Sequence, residues 1–146
     1  MMWERVKNMK KIFITFLGLF LVLGISGCQK SHVDVEDVAK KIVYFSQDLL
    51  QAEGNEIEEI LQNVNDEFKN QMKDNIIKDV QIKVLGNVEN DLKPYDLPIT
   101  IQSVAIEEGD SQIVTVKFVD QKQKEGQTVL QMQNDGKQVT YVGYRR

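Results

Sequence analysis

Residues 127–144, QTVLQMQNDGKQVTYVGY, decide the fold. Asn134-Asp135-Gly136-Lys137 stands between two short runs of strand-forming residues, 127–133 and 139–144. Asp-Gly readily takes the positive φ angles of a tight turn, so this spacing predicts a β-hairpin. In the second run Val139, Tyr141 and Gly143 alternate with Thr140, Val142 and Tyr144, the period of a closing strand. Upstream, residues 113–120 form another strand run, rich in the Val, Ile and Thr that pleated surfaces favour. Residues 122–126 make a polar bend after it, and Glu108-Gly109-Asp110 a turn before it. Residues 99–107 read as a further strand. Val80, Ile82 and Val84 alternate with Gln81 and Lys83, which predicts a first strand, joined onward by a polar connection over 86–98.

Before about Asn75 the apolar period is helical. Val35, Val38, Ile42, Phe45 and Leu49 recur at three- and four-residue steps and share one face. Asp34 is placed to cap this helix by accepting from the amide of Asp37. Gly54 is a C-terminal stop. Asn55 is placed to cap a second helix, with Glu56, Glu58 and Glu59 near its positive end. The second stripe is Ile57, Ile60, Leu61, Val64, Phe68 and Met72, and the two helices form one bent helix or a hairpin. Helices first and an antiparallel meander after them make an α+β plan: an N-terminal helix or helical hairpin packed on a curved four- to five-stranded antiparallel sheet. One face of such a sheet must be covered, and the helical stripes are the apolar surface available.

The N-terminus carries a different signal. Arg5, Lys7, Lys10 and Lys11 make a basic start, residues 12–25 an apolar run, and Ile25-Ser26-Gly27-Cys28 a close of small residues. The run is 14 residues long, short of the ~20 that a permanent membrane helix needs. Its length and flanks suit a signal peptide over residues 1–27. Met9-Lys10-Lys11 is an alternative opening to Met1, and both starts are compatible with cleavage before Cys28. Residues 28–33 then form a tether and 34–146 one domain. Four of the 18 basic residues and one of the 22 acids precede Cys28, leaving 14 against 21 and a mature charge of about −7. With no basic cluster, the mature chain is a poor partner for nucleic acid or for anionic lipid headgroups.

Ile25-Ser26-Gly27-Cys28 resembles a bacterial lipobox. The resemblance implies cleavage between Gly27 and Cys28 and attachment of diacylglycerol to the Cys28 thiol, with the new amine open to acylation. Two acyl chains hold a protein stably at a membrane where one does not. Cys28 is the only cysteine, so once it is acylated the domain has no disulfide and rests on its core. A lipobox, a short tether, about 40 helical residues and a four- or five-stranded meander is similar to the small Gram-positive lipoproteins with a cystatin-like fold. That resemblance implies a lipid-anchored protein on the extracytoplasmic face of the cell membrane. Members of the group encoded on integrative conjugative elements imply a role in surface exclusion during transfer.

The chemistry-bearing residues point away from catalysis. True cystatins inhibit through a Gln-x-Val-x-Gly wedge; here Gln102-Ser103-Val104-Ala105-Ile106 replaces the glycine by Ile106 in mid-strand, and the wedge needs glycine's close approach. The single histidine, His32, lies in the tether, where a general base would lack a pocket. Neither Glu56-Ile57-Glu58-Glu59 nor Glu107-Glu108-Gly109-Asp110 has the spacing of a calcium loop, so no metal or other cofactor is expected. Phe45, Phe68 and Phe118 fit the core. Tyr44, Tyr95, Tyr141 and Tyr144 are amphipathic rings suited to covering the sheet or meeting a partner. Arg145-Arg146 reads as a solubilising end. The sequence therefore predicts a non-enzymatic, lipid-anchored interaction module for an envelope protein, with Tyr141 and Tyr144 as candidate contact residues. The alternative is a small-ligand carrier with a cavity between helix and sheet.

Overall fold

The structure, a computed structural model, describes residues His32–Arg146, which form one compact unit. The expected signal segment, with Gly27 and Cys28 at its expected cleavage site, lies outside the described residues.

Helix α1 (Val35–Gln51) starts as its sequence predicts: the Asp34 carboxylate accepts the Asp37 amide at 3.1 Å, and Glu36 and Asp37 occupy the positive first turn. Val35, Val38 and Ile42 are buried together with Ala39, Val43 and Ser46, while Phe45 and Leu49 pack at the core margin. The helix ends at Gln51, and Gly54 follows with φ +56, so the glycine shapes the turn beyond the end rather than the end itself. Helix α2 (Glu56–Phe68) completes a hairpin. Its expected cap differs: Asn55 already has helical φ and ψ and makes no capping bond, and Glu56 instead accepts the Glu53 amide at 3.0 Å. The α2 stripe is buried only from Val64 through Phe68 to Met72, and Ile57 is exposed. Lys41 ties the two helices by pairing with Asp37 at 2.7 Å and with Glu67.

The expected strand at residues 80–84 is a helix. Helix α3 (Asp74–Asp79), a π-helical segment (Val80–Val84) and helix α4 (Leu85–Leu92) follow one another without leaving helical φ and ψ at the junctions. The Leu85 amide donates to the Val80 carbonyl, the i to i+5 bond of a π turn. The physical reason is the longer stripe. Val80 and Val84 are also four apart, and Ile76, Ile77, Leu85, Val88 and Leu92 extend them into one buried helical face. Ile82, which supplied the alternation, is 76% exposed. The polar connection at 86–98 is accordingly helical as far as Leu92.

The sheet is an open antiparallel meander of four strands in the order β1 (Thr100–Glu107), β2 (Gln112–Val119), β3 (Glu125–Asn134) and β4 (Val139–Tyr144). The fold class is α+β with no fifth strand among the described residues. Val114, Val116 and Phe118 of β2 and Thr128, Leu130 and Met132 of β3 face inward. α1 lies over β1 and β2, α3 and the π segment over β4, and α4 over β3. The hairpin forms as expected, but of the Asp-Gly pair only Gly136 takes a positive φ (+85); Asp135 instead shapes the turn through its carboxylate, which accepts the amides of Lys137 and Gln138. A register shift at Gln133/Asn134 breaks the alternation of β4, so Val139 and Val142 both turn inward. The free edge of β4 is partly covered: the Val139 amide donates to the Gln71 carbonyl at 2.7 Å.

Candidate functional site

The two tyrosines singled out by the sequence do not form one patch. Tyr141 pairs across β3 with Gln133, on the outer face, and is 44% exposed. Its ring folds over Gly143, so close that a Cβ there would stand 2.9 Å from Tyr141 Cζ. Glycine thus leaves the shelf on which the ring lies. Tyr144 pairs with Leu130 on the inner face and is part-buried. Its hydroxyl donates to Asp91 Oδ1 at 2.7 Å, and Thr128 Oγ1 donates to Asp91 Oδ2 at 2.8 Å. Burial first, and then the bond to Asp91, push the Tyr144 hydroxyl up to about 12. Asp91 is therefore a clamp between α4 and the last two strands, and Tyr144 is spent on the fold.

Where the β1–β2 turn meets the β3–β4 hairpin lies an open groove of about 490 Å³ lined by Glu108, Asp110, Gln112, Gln133, Asn134 and Thr140 among others; Tyr141 is outside its lining but follows Thr140 and pairs with Gln133. Its walls are set by a chain of side-chain bonds. Gln112 Nε2 donates to Glu108 Oε1 at 3.0 Å, Asn134 Nδ2 donates to Gln112 Oε1 at 2.7 Å, and the Gly136 amide donates to Asn134 Oδ1 at 3.1 Å. A second groove of about 350 Å³ opens between α1 and α2, flanked by Asp48, Glu56 and Glu59. Partial burial raises the Asp48 carboxyl above its ordinary value. Both grooves are rimmed by acids and amides, the chemistry of hydrogen bonding to polar or basic groups. Among the described residues no cluster of three potential metal ligands forms, the Glu56-Glu58-Glu59 and Glu107-Glu108-Asp110 groups included. His32 is exposed at the start of the compact unit.

Two carboxylates held below their ordinary range by backbone amides, Asp120 and Asp135, organise turns. The Asp120 carboxylate accepts the amides of Asp96 (3.0 Å), Lys122 (2.8 Å) and Lys124 (2.9 Å), and these bonds, Asp96 first, hold it below the usual carboxylate range. It binds the β2–β3 turn to the segment leading into β1. Nearby, Tyr95 stands edge-on to Phe118 at 5.0 Å with Lys124 Nζ 4.8 Å above its ring, in the space Gly126 leaves open. Phe45 meets Phe68 edge-on at 5.9 Å. The helix–sheet interior is filled by side chains of no measurable exposure, Val38, Ile42, Phe68, Phe118, Leu130 and Met132 among them.

No protein-family model, curated protein or solved structure matches the chain. Geometry and the N-terminal motif therefore carry the functional reading. No described helix is long and apolar enough to cross a membrane.

The sequence treated Tyr141 and Tyr144 alike, although only Tyr141 is exposed, and it did not point to Asp91, Asp120 or Gln47. Gln47 is buried with its Oε1 accepting the Ile99 amide at 2.7 Å. Each of these three residues meets a partner more than twenty positions away, and no local pattern announces such a bond.

Proposed function

We propose that this protein is a lipid-anchored, non-enzymatic module on the extracytoplasmic face of the cell membrane that binds another envelope protein. The observation that carries the reading is the placement of Cys28. The lipobox-like Ile25-Ser26-Gly27-Cys28 stands four residues before His32, where a compact unit with its own core begins. A short tether then suffices to present a folded domain at a membrane, with the acyl chains supplying the affinity. The helical hairpin and long helix packed on a four-stranded meander are consistent with a cystatin-like plan. Surface exclusion of a conjugative element is the specific role drawn from the resemblance.

The filled interior favours a protein partner over a carried ligand, because a carrier needs an enclosed apolar space between helix and sheet. The outer sheet face around Tyr141 is the proposed contact, since its exposed ring offers apolar area and its neighbours Gln133 and Thr140 line the polar groove at this end of the sheet. The test expresses Tyr141→Ala and His32→Ala proteins at equal surface level and scores crosslinked envelope partners. Loss of the partner with Tyr141→Ala alone is expected. Loss with His32→Ala in a folded, anchored protein would overturn the non-enzymatic reading.

A further inference from the structure

β1 is an edge strand whose outer side meets no strand among the described residues. It pairs with β2 on one side only, and among the described residues none of its backbone groups bonds to any segment on the other. Its sequence, TIQSVAIE, contains no Lys, Arg or Pro, the residues that usually blunt an edge. A register shift between Ile101 and Ser103 disturbs the first half. The second half, residues 103–107, pairs without a break from Ser103 opposite Lys117 to Glu107 opposite Ile113. At this end of the sheet apolar surface also stays uncovered: Ile106 lies on the inner-face side, opposite the buried Val114, yet is 37% exposed.

We infer that β1 pairs antiparallel with β1 of a second copy of this chain, joining the two sheets into one of eight strands. Face and charge choose the second copy as occupant. Residues directly opposed across an antiparallel pair share a face, so full overlap of 103–107 on itself centres on Ala105. Val104 then lies against Ile106 of the other copy, which puts apolar next to apolar on the inner face. Ser103 lies against Glu107 of the other copy on the outer face. Lys117 is the neighbour of Ser103 one strand further in, and it has no ion-pair partner among the described residues; nor has Glu107. The small Ser103 leaves Lys117 room to reach across to that carboxylate, and the twofold axis makes the pair twice. The strand is therefore complementary to itself in shape, apolarity and charge, as an isologous contact requires.

The experiment uses residues 32–146, which contain the whole described core. Sedimentation velocity from micromolar to millimolar concentration is expected to show the mass rising from one chain to two. Ala105→Lys sets like charges at the axis on an exposed position, and should leave the thermal transition unchanged while abolishing the dimer. Lys117→Glu should weaken association by roughly tenfold or more through repulsion with Glu107, and the double exchange Lys117→Glu with Glu107→Lys should restore it. A chain that stays monomeric throughout would overturn the inference. So would a dimer indifferent to Ala105→Lys and to the charge exchange, because it would be formed by another surface.

Discussion

Tyr144→Phe tests the clamp that closes the last strand onto α4. The substitution removes one hydroxyl and leaves the ring beside Leu130, so the apolar contact survives and only the 2.7 Å bond to Asp91 is lost. A hydrogen bond to a charged group contributes about 1.5–3 kcal/mol. Partial exposure and the remaining Thr128–Asp91 bond reduce this, giving an expected loss of about 1–2 kcal/mol at neutral pH. The pH dependence has a definite sign. The hydroxyl titrates near 10 in the unfolded chain and is pushed up to about 12 in the fold. The folded state thus holds the proton more tightly, so its contribution is complete below about pH 10 and disappears as pH rises towards 12. Urea unfolding followed by circular dichroism at pH 7 and across pH 9–12 reads both effects. The phenylalanine protein should be less stable at pH 7 and should lose less stability than wild type on the alkaline limb. A change below about 0.5 kcal/mol, with an alkaline limb of unaltered slope, would refute the clamp.

Ile42→Ala, at a fully buried α1 position, should cost about 2–5 kcal/mol in the same unfolding assay. Gly126→Ala places a Cβ 2.5 Å from Tyr95 Cζ and 2.6 Å from Phe118 Cε2 and should cost about 1–3 kcal/mol, visible as a lowered denaturation midpoint. Ile82→Asp should be nearly neutral while Val84→Asp prevents folding, by thermal melting; similar effects at both would contradict the helical reading of 80–84.

The parts of this fold that were legible in the sequence are those whose signal is local. The Asp34 cap, the Asp-Gly hairpin and the strand runs after residue 99 each carry their cause within a few positions. Residues 80–84 misled because a five-residue window of alternating Val, Ile and Val satisfies period two, whereas the helix is declared only by the stripe running on from Ile76 to Leu92. The faces of Tyr141 and Tyr144 were equally hidden. Strict alternation puts Tyr141 with Val139, and the register shift at Gln133/Asn134 separates them. The Asp91 and Asp120 bonds join segments distant in sequence, and only the assembled sheet brings them together.

The proposed lipid anchor at Cys28 can be read by intact mass spectrometry of the protein recovered from the membrane fraction of a bacterial host. The expected species begins at Cys28 and is heavier than its 119 residues by a diacylglyceryl group or more, with Cys28→Ala abolishing both the cleavage and the added mass. A mature chain that retains residues 1–27, or one that begins at residue 28 with an unmodified thiol, would contradict it.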